Sequence, residues 1–109
     1  MHWLNLVSYF GGGIFLANAV PHFVSGMMGR PFQTPFAKSP GEGLSSSTVN
    51  VLWGLLNAIV GYVLVFRVGN FALRSTPDFA ACVSGVLLIG VCMARHFGQF
   101  HGGNASGRS

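Results

Sequence analysis

The chain has 109 residues, half of them hydrophobic and 7% charged, with a formal net charge of +4. Soluble domains carry roughly 25% charged residues, and a chain this short has too little interior to hide so much apolar surface from water. Its six Lys and Arg residues stand singly at the ends of apolar runs, which excludes the dense basic patch of a nucleic-acid binder and suits lipid headgroups.

Three uncharged stretches follow one another: Met1–Gly29, Gly43–Phe66 and Phe79–Ala94. An apolar helix of about 20 residues crosses a ~30 Å hydrocarbon layer. The first two stretches are long enough, and the third extends at both ends. The expectation is an all-α integral membrane protein with three transmembrane helices. The spans lie at about 3–29, 48–67 and 77–98, in a single membrane domain over residues 1–101, with the lipid bilayer as its solvent.

Span one starts at Trp3, an interfacial anchor, and runs through Ile14, Phe15, Leu16 and Val20. Gly11-Gly12-Gly13 and Pro21 interrupt it, and a kink is expected at Pro21. Ala17-Asn18-Ala19 has the form of a signal-peptide cleavage site, which leaves cleavage of residues 1–19 open. The absence of Lys and Arg before it, and Pro21 just after it, argue against cleavage.

Residues 30–47 form a polar loop with three prolines and a doubled Pro-Phe, at Pro31-Phe32 and Pro35-Phe36. It reads as an interfacial loop, with a re-entrant loop lining a cavity as the sharper alternative. Span two follows a Ser47 or Thr48 cap and stops at Arg67. Span three opens on Thr76-Pro77-Asp78, read as N-cap, first-turn proline and an acid at the positive end of the helix dipole. The tail, 102–109, is rich in Gly and Ser and is expected to be disordered. Its Asn104-Ala105-Ser106 fits a glycosylation sequon, which matters only in a secretory lumen. Cys82 and Cys92 lie ten residues apart, about 15 Å along one helix, too far for a mutual disulfide.

With three spans, Arg30, Lys38, Arg95 and Arg108 share one side, and Arg67 and Arg74 the other. Four cations against two predict the N-terminus outside and the C-terminus cytoplasmic.

The most specific internal signal is in span two. Asn50, Gly54, Asn57 and Gly61 fall within about 60° of arc on a helix. Gly11, Asn18, His22, Ser25, Gly26 and Gly29 share a face of span one, and Ser84, Gly85, Cys92, Arg95, His96 and Gln99 share one of span three. Small residues let backbones approach, and amides hydrogen-bond across the contact. Gly54, Gly61 and Gly85 are therefore expected to pack helices. Asn18, His22, Asn50, Asn57, Arg95 and His96 are expected to form a polar intramembrane cluster, with Glu42 as a loop partner within reach of Arg95.

Such a cluster is ordinarily packing glue. Ionisable residues inside a membrane also raise a site for a small ligand, proton or ion. His22 and His96, with His101, Met27, Met28 and Cys92 behind them, are the metal or haem candidates. No H-x-x-x-H or C-x-x-C pair fixes two ligands on one element, so no metal and no cofactor is expected. No Ser/His/Asp set exists, and Gly11-Gly12-Gly13 lacks the Lys-Ser/Thr of a phosphate-binding loop.

Asn18-Ala19-Val20-Pro21-His22-Phe23, Gly29-Arg30-Pro31-Phe32-Gln33-Thr34-Pro35-Phe36 and Asn50-Val51-Leu52-Trp53-Gly54 resemble small, uncharacterised bacterial multi-pass membrane proteins. The resemblance covers roughly residues 18–61. It implies a bacterial inner membrane and carries no activity or cofactor. In size the chain is similar to the small multidrug resistance transporters, but those have four spans and an essential glutamate in the first. No acid lies in the first span, and Asp78 stands only at the start of the third, which speaks against that family. The expected function is non-enzymatic: a self-associating or accessory membrane subunit, as a homo-oligomer or with a partner membrane subunit. The alternatives are a small transporter or channel using the His22/Asn57/His96 region, and a haem- or metal-binding subunit.

Overall fold

In the computed structural model, which describes residues 2–104, three helices carry the chain: α1 (His2–Met27), α2 (Ser47–Phe66) and α3 (Thr76–His101). All three are long and apolar enough to cross a membrane. Two short strands, β1 (Phe32–Gln33) and β2 (Leu44–Ser45), pair antiparallel within the loop that links α1 to α2.

Backbone chemistry sets the helix ends. α1 stops at Met27 because Gly29 takes the left-handed conformation, φ 75°. The Gly29 and Arg30 amides then donate to the Gly26 and Ser25 carbonyls at 3.0 and 2.9 Å, which satisfies two orphaned acceptors. Ser46, one residue before the expected cap, caps α2 by accepting from the Val49 amide. Ser75 likewise caps α3 in place of Thr76, which moves Pro77 and Asp78 one position into the helix. α3 continues to His101, three residues past the expected end, until Gly102 at φ 83° turns the chain. Gly102–Asn104 fold back so that the Asn104 amide donates to the Arg95 carbonyl at 2.8 Å. The expectations for residues 105–109, and the remainder of the sequon, lie outside the described residues.

α1 is the central helix. α2 packs along one side of it and α3 along the other, while α2 and α3 barely touch. Glycines decide this arrangement by letting backbones meet. A methyl group on Gly54 would lie 2.6 Å from the Phe23 nitrogen, and one on Gly61 would lie 2.6 Å from Leu16 Cγ. On the other side, Gly13 sits against the Cys82 carbonyl and Gly85 against the Phe10 carbonyl. Phe10 lies about 160° around α1 from Gly12, which faces Val65 of α2. The molecule is therefore a flat layer, 40 × 35 × 22 Å, in the order α2–α1–α3.

Candidate functional site

The linking loop is folded against the helices. Gln33 and Thr34 are buried, the Thr34 and Ser45 hydroxyls bond to each other, and the Gly41 amide donates to the Thr34 carbonyl at 2.9 Å. This closes the loop over one end of the α1–α2 contact, where His22 and Asn50 meet.

Asn50 is fully buried. Its amide nitrogen faces the carbonyls of Phe32, Ser45 and Ser46 at 3.1, 3.1 and 3.0 Å. That orients the side chain, so Oδ1 is the acceptor for His22 Nδ1 at 2.9 Å. A carboxamide oxygen cannot donate, so Nδ1 carries the ring proton and Nε2 holds the lone pair. The His22 ring is 2% exposed and packs edge-on against Phe32, Trp53 and Phe97. Among the described residues Nε2 has no hydrogen-bond partner, and the buried indole nitrogen of Trp53 has none either.

One turn from His22 along α1 and two turns from Asn50 along α2, Asn18 Nδ2 donates to Asn57 Oδ1 at 3.0 Å, and Asn57 Nδ2 donates to the Trp53 carbonyl at 2.8 Å. Four of the six residues expected in one cluster are thus joined as two bonded pairs across α1 and α2. Gly54 and Gly61 lie in the same contact, and Gly85 lies in the α1–α3 contact.

The other two do not join them. Arg95 is exposed and offers only its backbone carbonyl, to Asn104. His96 is exposed, and its Nε2 donates to the Gly41 carbonyl at 2.6 Å. Glu42 is exposed and no bond connects it to Arg95; the loop reaches α3 through the backbone of the preceding residue instead. The cause is the flat layer. α3 meets α1 closely at Gly85 and diverges beyond it, so Arg95 and His96 turn outward. Phe97 packs against both histidine rings, at 6.0 Å from His22 and 5.1 Å from His96, and the two do not face each other as a ligand pair. His101 Nε2 donates to Gln33 Oε1 at 2.9 Å while its ring stacks on Phe32. Among the described residues no three His, Cys, Asp or Glu side chains converge on a point that would hold a metal ion.

A second polar region at the opposite end of the layer was not expected. Tyr9 is 1% exposed and meets Phe71 edge-on at 5.1 Å. Ser8 donates to the Leu64 carbonyl at 2.6 Å. Asp78 is buried, with Oδ2 accepting from the Ala72 amide at 3.1 Å and Oδ1 unpartnered among the described residues. Asp78 reads in the sequence as a first-turn acid at the positive end of the helix dipole and stands there, with the 67–75 connection reaching its carboxylate through the Ala72 amide. One signal pointed here: Asn5, Gly12, Ala19 and Gly26 recur every seven residues along α1, the last three buried and Asn5 half-buried.

No protein-family model, no curated protein and no solved structure matches this chain.

Proposed function

We propose that all three helices cross a bilayer, that of a bacterial inner membrane, and that the chain works there as a self-associating or accessory subunit without enzymatic activity. The layer arrangement carries this reading. With α2 and α3 on opposite sides of α1, each has only one neighbour. Ser84, Cys92, His96 and Gln99 of α3 stay exposed on one face; Ser84, His96 and Gln99 bond carbonyls of the chain itself, and a second helix would cover this small, polar face more closely than acyl chains would.

The same reading includes a kink in α1, since Pro21 offers no N–H to the Ala17 carbonyl. It also places the 30–46 loop and the C-terminus in the cytoplasm, on the count of four cations against two. A transporter path has less support: the inner amides are bonded to each other, and His96 stands apart from His22. A haem or metal site has less still, with Phe97 packed on both candidate rings.

Cys92 is exposed on the α3 face that would meet a partner, and Cys82 is half-buried. Oxidising the chain in native membranes is expected to give a disulfide-linked dimer that Cys92→Ser abolishes and Cys82→Ser leaves. A chain that stays monomeric by crosslinking and by native mass spectrometry, with no co-purifying subunit, contradicts the proposal.

A further inference from the structure

Asp78 is 4% exposed, and among the described residues its carboxylate has a single donor, the Ala72 backbone amide on Oδ2. Oδ1 is buried with no partner. Arg67 and Arg74, the cations of the 67–75 connection, are both exposed and bond neither oxygen. The positive end of the α3 dipole compensates roughly half a charge. A carboxylate withdrawn from water with so little around it calls for a further positive charge.

Neutral polar groups stand beside it. α1 and α3 run in the same direction, since Gly13 meets Cys82 and, further along both helices, His22 meets Phe97. Tyr9 and Asp78 each precede the Gly13–Cys82 backbone contact by four residues, one helical turn. The Asp78 carboxylate lies within electrostatic reach of the buried Tyr9 hydroxyl. The connection closes on the same spot through Gly69. A Cβ there would stand 2.5 Å from Tyr9 Oη and 2.7 Å from the Asn5 side-chain amide. Phe71 walls the region against the Tyr9 ring. Hard cations take carboxylate, carbonyl and hydroxyl oxygens, which are the groups gathered here.

We propose that Asp78, Tyr9 and Asn5 form a binding site for one sodium ion, held by Asp78 Oδ1 with the neutral oxygens of Tyr9 and Asn5. One carboxylate balances one monovalent ion, whereas a divalent ion would leave the buried region with net charge. A hard monovalent ion needs no cluster of His, Cys or further acids. Bound there, it would tie the start of α1, the 67–75 connection and the first turn of α3 together. The site lies at the opposite end of the layer from His22 and does not depend on self-association.

The test is thermal unfolding of the full chain in detergent, in equal concentrations of sodium chloride or choline chloride. The midpoint is expected about 5 °C higher in sodium. Asp78→Asn keeps the shape and an acceptor for the Ala72 amide but removes the charge, so the sodium effect should vanish. Equal wild-type midpoints in the two salts overturn the proposal, as does a sodium effect that Asp78→Asn leaves intact. A carboxylate satisfied by water alone would give the first of these results. Should Asp78→Asn fail to fold, Tyr9→Phe decides, read by calorimetric titration of sodium chloride into the choline sample. Loss of that one oxygen should weaken sodium binding about tenfold, and unchanged affinity overturns the site.

Discussion

Asn50 makes more side-chain hydrogen bonds than any other described residue. One amide nitrogen serves three carbonyls and one amide oxygen serves His22, so a single side chain joins α1, β1, β2 and the start of α2. The Ser46 carbonyl also accepts from the Asn50 backbone amide, but a buried carbonyl that loses its donor costs about 1–3 kcal/mol, and the Phe32 and Ser45 carbonyls both lose this one when the side chain is changed. Asn50→Asp places a carboxylate oxygen against the three carbonyls and is expected to yield no folded protein. His22→Ala leaves Asn50 Oδ1 without its donor and empties a space among three aromatic rings, at about 2–4 kcal/mol. Thermal unfolding in detergent checks both, and wild-type stability in His22→Ala would show that the ring is dispensable.

At the scale of elements, the glycines of α2 and α3 separate contact from open surface. Gly54 and Gly85 meet backbone atoms of α1, whereas Gly90 meets nothing. Gly54→Ala and Gly85→Ala are expected to cost about 1–3 kcal/mol each, because backbone cannot step aside as a flexible side chain can. Gly90→Ala should be neutral or slightly stabilising, since it removes glycine from a helix interior at an unobstructed position. Melting temperatures of the three variants in one detergent provide the check; equal effects at all three sites would contradict the packing described.

These elements also show what was legible beforehand. The stripe Asn50-Gly54-Asn57-Gly61 was visible because it lies on one unbroken helix, where spacing alone fixes the face. Its partners His22 and Asn18 were visible for the same reason. The fate of Arg95 and His96 was not, because it depends on how far α3 diverges from α1 past Gly85, and no periodicity encodes a crossing angle. The folded loop was hidden as well. Its ladder is two residues long, and its closure rests on the Thr34 and Ser45 hydroxyls meeting from eleven residues apart. Asp78 stands in the first turn of α3 as its spacing implies, but its burial was not legible, because a first-turn acid looks the same in sequence whether solvent or a connecting loop covers it.

At the scale of the whole molecule, the described residues form one layer in which only Tyr9, Ala19 and Val65 are buried apolar side chains. Its buried side chains are mostly polar or small, and its large apolar ones, Leu52, Leu56, Leu73 and Leu87 among them, face outward. In water this pattern is inverted; in a bilayer it is what is needed, since apolar tails cover the Leu surface and the polar groups must pair inside. The central claim is therefore that each helix crosses the bilayer once. The most direct measurement is labelling with a membrane-impermeant thiol reagent in right-side-out and inverted vesicles. Single cysteines would be placed at the exposed positions Ser39 and Asn70, in a chain carrying Cys82→Ser and Cys92→Ser. The account predicts that Ser39→Cys is labelled only in inverted vesicles and Asn70→Cys only in right-side-out ones. Labelling of both from the same side would mean that α2 does not cross, and would contradict it.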